Sequence, residues 1–242
     1  MGATVCDAVA ADTEVDLVAA VDPAHHGVEV GSITIDGSNE AMMAADVDVA
    51  VDFTHLEAAR GNILWLAEQG IHAVVGTTGF TEADLVDFEA AFAGSNCVIA
   101  PNFAIGAVLM MRFAEMAAPY FESAEIVELH HDQKVDAPSG TAMMTAERMA
   151  VASEAWAPDP TSNVVLDGAR GGRGPAGIRV HSVRLRGLVA HQEVLLGTTG
   201  QSLSVRHDSY DRSSFMPGVL LAVKQVGEAP GLTLGLDGLL GL

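Results

Sequence analysis

The chain is poor in cysteine, in lysine and in positive charge, and it has no long apolar run. Cys6 and Cys97 are its only cysteines, too few for a disulfide framework. Lysine occurs only as Lys134 and Lys224, and Lys plus Arg number 12 against 32 Asp plus Glu, a formal net charge of −20. That balance argues against nucleic acid or an anionic membrane surface as a partner, and the arginines are not gathered into a basic tract. No apolar run reaches the length that spans a bilayer, and no basic start is followed by the short apolar stretch of a secretory leader. A soluble cytoplasmic protein is the expectation. With 242 residues the chain can hold one large or two modest domains.

The first hundred residues alternate between strand-like and helix-like patterns. Gly2 to Ala11 reads as a helix with Val5, Ala8 and Val9 on one face, and Asp16 to Val21 as a buried strand ending at Asp22. His25 to Asn39 has no clear period and reads as loop. Val47 to Phe53 is the next strand, and Thr54-His55 opens a helix to Gln69 whose apolar face is Leu56, Ile63, Leu64 and Leu66, closed by Gly70. Ile71 to Val75 is a strand running into Gly76-Thr77-Thr78-Gly79. Thr81 and Asp84 are spaced as a capping pair for a helix bearing Leu85, Phe88 and Phe92. Cys97 to Ala100 is one more strand, before Pro101-Asn102-Phe103. The alternation predicts an α/β fold with a parallel sheet, whose ligands sit at the carboxyl ends of the strands. Asp22, Gly76-Thr77-Thr78 and Ala100-Pro101-Asn102-Phe103 all fall at such ends. Asp22 lies about twenty positions after Gly2, the spacing of an acidic ribose ligand after a glycine fingerprint.

The texture then changes. Ile105 to Phe121 is a strongly apolar helix whose methionines read as core filler. Pro158 to Gly177, with Gly168-Ala-Arg-Gly-Gly-Arg-Gly174 inside it, reads as a mobile surface loop, since it lacks the strand-before and helix-after context of a phosphate cradle. Strand-like runs follow at Ile178–Leu185, Val189–Leu196 and Ser202–His207, the last two joined by a hairpin signal, Gly197-Thr-Thr-Gly200. Consecutive strands without helices predict an antiparallel or mixed sheet in an α+β second domain, 104–214. The first domain is then 1–103 with the return of 215–242, where Phe215 to Val226 is a final helix. His181, His191 and His207 on these strands are assigned structural roles.

Between the two textures lies Glu128-Leu-His-His-Asp-Gln-Lys-Val-Asp-Ala-Pro-Ser-Gly-Thr-Ala142. Ile126, Val127 and Leu129 make a short buried strand that delivers His130 and His131 to opposite faces. Pro138 ends the extended run, and Ser139-Gly140-Thr141 opens an Ala/Met-rich helix whose first amides suit a carboxylate or phosphate. Lys134 lies between. A titratable acid, a fixed cation and an anion cradle thus share about a dozen residues. A metal site is disfavoured, because adjacent strand histidines diverge and no Cys or carboxylate completes a ligand set.

This run closely resembles the signature of the dihydrodipicolinate reductase family, now called 4-hydroxy-tetrahydrodipicolinate reductase: Glu-x-His-His-x-x-Lys-x-Asp-Ala-Pro-Ser-Gly-Thr-Ala is matched at every fixed position. The resemblance extends over nearly the whole chain. It implies a Rossmann-like nucleotide domain and NADH- or NADPH-dependent reduction of a cyclic imine dicarboxylate in lysine and diaminopimelate synthesis, by a homotetramer. It implies His130 as the acid, Lys134 as the charge stabiliser, and His131, Gly140 and Thr141 as holders of the substrate carboxylates. Asp22, Gly76, Thr77, Thr78, Ala100, Pro101, Asn102 and Phe103 are the implied cofactor contacts. Against the same pattern, Met1-Gly2 matches the last two residues of a Gly-x-x-Gly-x-Met-Gly fingerprint. The expectation is therefore a chain that starts roughly a dozen residues into the nucleotide fold, without its first strand and most of its glycine loop. Two other readings stay open: a reductase of the same architecture for another cyclic imine or keto acid, and a truncated chain that binds a dicarboxylate without turnover.

Overall fold

The computed structural model describes residues 1–242, which divide into two compact units, Met1–Ile105 with Arg212–Leu242, and Gly106–Asp211. In the first unit the elements are α1 (Gly2–Ala11), β1 (Glu29–Val30), β2 (Ile33–Thr34), α2 (Glu40–Ala44), β3 (Val49–Asp52), α3 (Leu56–Gln69), β4 (His72–Val75), α4 (Glu82–Ala91) and β5 (Cys97–Ile99). The second unit follows with α5 (Ile105–Ala117), β6 (Ser123–His130), α6 (Gly140–Ala152), β7 (Gly172–Arg173), β8 (Arg179–Arg184), β9 (Ala190–Thr198) and β10 (Gln201–Ser209). The chain then re-enters the first unit with α7 (Met216–Gln225) and β11 (Leu232–Leu234).

The first unit is built on a four-stranded parallel sheet, β11-β5-β4-β3. All of β5 and nearly all of β4 is buried, as the continuous apolar runs Ala-Val-Val and Cys-Val-Ile require of strands covered on both faces. Ile63, Leu66, Phe88 and Phe92 pack onto that sheet from α3 and the end of α4. Leu64, expected on the apolar face of α3, is 39% exposed, because it lies one residue beyond the inward stripe of Ala59, Ile63 and Leu66. Gly70 closes α3 in the left-handed conformation, and Thr81 with Asp84 forms a full capping box on α4. Burial pushes the Cys97 thiol up to about 12, so this free cysteine is inert packing.

The segment Asp16 to Val21 is not a strand. Its backbone is extended, but it makes only a single bridge, Val21 with Asp36, and no strand runs beside it to complete a ladder. Leu17, Val18 and Val21 supply the propensity for a strand, which persists only with a hydrogen-bonding neighbour. The stretch His25–Asn39, read as loop, contains the small β1–β2 hairpin.

The second unit is a five-stranded mixed sheet, β10-β9-β6-β8-β7, with β6 at its centre, antiparallel to β9 and parallel to β8. The helix α6 packs on it through Ala142, Ala146 and Met149. In α5, Met110 and Met111 are core residues, but Met116 is 58% exposed, so the helix spends one methionine on its outer face. The glycine-rich loop is pinned rather than free: Arg170 pairs with Glu125 at 2.6 Å, and Arg179 with Asp159 at 2.8 Å. No helix is long and apolar enough to cross a membrane.

Candidate functional site

In the first unit the two candidate turns lie where the topology predicts, at the carboxyl ends of the neighbouring parallel strands β4 and β5, whereas Asp22 ends no strand. Gly76 follows β4 and Ala100 follows β5, continuing the ladder through Gly76 N–H to Asp52 O and Ala100 N–H to Val75 O. Thr77 is buried and its hydroxyl is used internally, donating to Thr54 O at 2.8 Å. Only its backbone is left for a ligand. Beneath it Asp52, the carboxylate ending β3, accepts from Thr54 N–H and Oγ1 and from Asn62 Nδ2. Residue type and spacing do not reveal that network, because Asn62 reaches Asp52 from α3, ten residues on. Ala100 and Phe103 are buried, Phe103 at 5.6 Å from the Phe53 ring, whereas Pro101 is exposed. Asp22 is surface-lying and accepts from Ala24 N–H and from His25 Nδ1, each at 2.8 Å. The His25 contact, then the Ala24 amide, hold its carboxyl below its usual range. Turns at the ends of adjacent parallel strands are where a Rossmann-like sheet binds its ligand.

In the second unit β6 carries Glu128 and His130 on one face and turns His131 to the other, as two-residue alternation demands. His131 is exposed and its Nδ1 accepts from Gln133 N–H. His130 is largely buried, with Nδ1 2.5 Å from Glu128 Oε2. Burial pushes its pKa below the usual histidine value; Glu128 opposes that shift, while Lys134 and Arg184 add to it. Past the strand, the loop folds so that Lys134 Nζ reaches both Asp136 carboxylate oxygens, at 2.7 and 2.9 Å. The Ala137–Pro138 peptide is cis. Ser139 then caps α6, its hydroxyl accepting from Ala142 N–H, and Gly140, the first helical residue, is exposed with open space around its Cα. Thr145 Oγ1 donates to Thr141 O and accepts from Gln192 Nε2, tying the first turn of α6 to β9.

Two further residues, Glu128 and Arg184, complete this site. Glu128 has no solvent exposure, and its carboxylate accepts from both terminal nitrogens of Arg184 at 2.8 Å and from Ser139 N–H at 3.2 Å. Burial alone would raise its carboxyl; Arg184, Ser182 and His130 outweigh that and keep it ionised. The alternation that separates the histidines also places Glu128 beside His130, so its partnership was readable in the motif. Arg184 stands 56 residues away, and only the parallel register of β6 with β8, which sets His130 opposite Arg184, brings it in.

Comparison with known proteins identifies the family. Residues 1–103 match the family model described as dihydrodipicolinate reductase, N-terminus, and residues 106–240 match dihydrodipicolinate reductase, C-terminus. A 4-hydroxy-tetrahydrodipicolinate reductase of Nocardia farcinica is 53% identical over 249 residues, covering 100% of this chain and 95% of that protein. One of Mycolicibacterium vanbaalenii is 52% identical over 230 residues, covering 93% and 94%. Among solved structures, the dipicolinate-bound dihydrodipicolinate reductase of Paenisporosarcina sp. TG-14 superposes with a TM-score of 0.85 at 38% identity, covering 97% of this chain and 93% of that one. An amine dehydrogenase of Mycobacterium smegmatis shares the fold at a TM-score of 0.65 and 12% identity.

Proposed function

The chain belongs to the dihydrodipicolinate reductase family, and we propose that it reduces 4-hydroxy-tetrahydrodipicolinate to tetrahydrodipicolinate with His130 as proton donor and Lys134 as the cation beside the substrate ring. The observation that carries this reading is the convergence, within one loop and strand end of the second unit, of a largely buried imidazole, a lysine and a capped helix start.

A bound nicotinamide supplies the hydride. Asp22 accepts from a free ribose 2′-hydroxyl, while Gly76-Thr77-Thr78 and the Ala100–Phe103 segment shape the nicotinamide side, with buried Ala100 and Phe103 as its floor. Asp22 would repel a 2′-phosphate, and no Arg follows it in Pro23-Ala24-His25-His26, so NADH serves at least as well as NADPH.

The substrate is a cyclic dicarboxylate whose loss of water leaves a conjugated ring. The amides of Gly140 and Thr141 at the start of α6, with His131, hold its carboxylates. Lys134 stabilises negative charge developing on the ring as it is reduced, and His130 protonates the neighbouring carbon. Asp136 orients the Lys134 amine through its two contacts. A planar mimic, pyridine-2,6-dicarboxylate, suits the same cradle; the Paenisporosarcina relative carries dipicolinate. The nine-residue edge strand β10, with Leu203 on it and Leu195 on its neighbour β9 each about two-fifths exposed, supports assembly into a homotetramer through these sheets.

Initial-rate assays on the purified chain test the reading. Substrate-dependent NADH oxidation, inhibited competitively by pyridine-2,6-dicarboxylate, is expected. Absence of turnover with both nicotinamides would overturn it, and a specificity constant favouring NADPH by about tenfold would overturn the Asp22 assignment.

A further inference from the structure

Glu128 and Asp52 are the only buried carboxylates, and Glu128 alone is fully enclosed. It sits on the central strand, in register with Ser182 on β8 and Gln192 on β9. An ionised carboxylate only accepts, so its contact with His130 fixes the tautomer: Nδ1 carries the hydrogen and donates, leaving Nε2 as the working nitrogen. The same carboxylate accepts the Ser139 amide at the helix start and both terminal nitrogens of Arg184. Arg184 in turn donates to Asp136 O at 2.6 Å, and the Asp136 side chain holds Lys134. One partly buried ion pair therefore connects the proposed acid, the proposed cation and the anion cradle.

We propose that Glu128 and Arg184 are positioning residues for the reduction, Glu128 by fixing the His130 imidazole through Nδ1 and keeping it protonatable, Arg184 by fastening the Lys134 loop to the same carboxylate. The proposal rests on the reading of His130 as proton donor. The physical need is plain: a largely buried imidazole is discouraged from carrying charge, and an adjacent fixed anion offsets that penalty. The charged groups facing His130 are Glu128 on its own strand, Arg184 on β8 and Lys134 on the loop, with Asp136 behind it; its partner on β9 is Ala190. Of these facing groups only Glu128 favours the imidazolium.

The test is the Glu128→Gln variant, read in two ways: NMR titration of the His130 ring in the unliganded protein, and the pH profile of kcat. The imidazole titration should move down by about one pH unit, and the high-pH limb of kcat should move with it. Near neutrality kcat should fall by roughly tenfold or more, with KM changed far less. Glu128→Gln strands the half-buried Arg184 charge, so the paired Glu128→Gln/Arg184→Met protein, which removes both charges, is the second variant. It should show a smaller downward shift of the same sign. A folded variant whose imidazole titration and kcat limb both stay at wild-type positions overturns the proposal. A titration that moves while the limb stays would instead remove His130 as proton donor, and the positioning role with it, while leaving the Glu128–His130 contact intact.

Discussion

At the scale of single residues, the site depends on close approach as much as on charge. Gly218, near the start of α7, is the clearest case in the first unit: a Cβ there would lie 2.1 Å from the carbonyl oxygen of Phe103. That atom is backbone and cannot swing aside, so Gly218→Ala should destabilise the protein by about 1–3 kcal/mol and displace the Ala100–Phe103 turn. Urea unfolding together with NADH titration checks it; native stability with native cofactor affinity would count against that turn as part of the cofactor site. The same scale shows what a sequence reveals about a site. His130, Lys134 and the Ser139 cap were legible because they are near neighbours along the chain. Glu128 was legible in principle through strand alternation. Arg184 was not, because residue type and spacing carry no information on which strands become neighbours.

At the scale of elements, local chemistry that closes on itself is legible in the sequence, and chemistry that needs a distant partner is not. The Thr81–Asp84 capping box, the left-handed Gly70 and the two-residue turn between β9 and β10 are decided within a few residues. Asp16 to Val21 has strand propensity but only the Asp36 bridge to use it, and remains irregular. The capping box also carries a tertiary contact, since Arg60 of α3 donates to both Asp84 oxygens at 2.9 and 3.0 Å. Thr81→Ala should therefore cost about 1 kcal/mol, lowering Tm by roughly 2–4 °C without altering KM for the dicarboxylate. Calorimetric melting with parallel initial rates separates the two effects, and an unchanged Tm would show that the cap contributes nothing to α4.

At the scale of the whole molecule, 32 acidic residues against 12 basic ones make acid the informative perturbant. Bonds from Arg60, and then from Thr81, hold the Asp84 carboxyl at about 2, down from 3.8. Asp159 is depressed as well, by Thr161 and Arg179. A carboxyl whose folded pKa lies below its unfolded value stabilises the fold above the unfolded value and loses that contribution as pH falls through the folded one. Stability should thus decline as pH drops from about 4 toward 2, and Asp84→Asn should flatten that decline; a urea midpoint that stays level over this range would contradict the role given to these pairs. The central claim is that the strand end and loop from Glu128 to Ala142 perform the proton chemistry. The most direct measurement is steady-state reduction of 4-hydroxy-tetrahydrodipicolinate by the His130→Gln chain at neutral pH, with pyridine-2,6-dicarboxylate affinity measured on the same preparation. The account predicts kcat lower by roughly two decades while the dicarboxylate still binds. Near-native turnover by His130→Gln would contradict it.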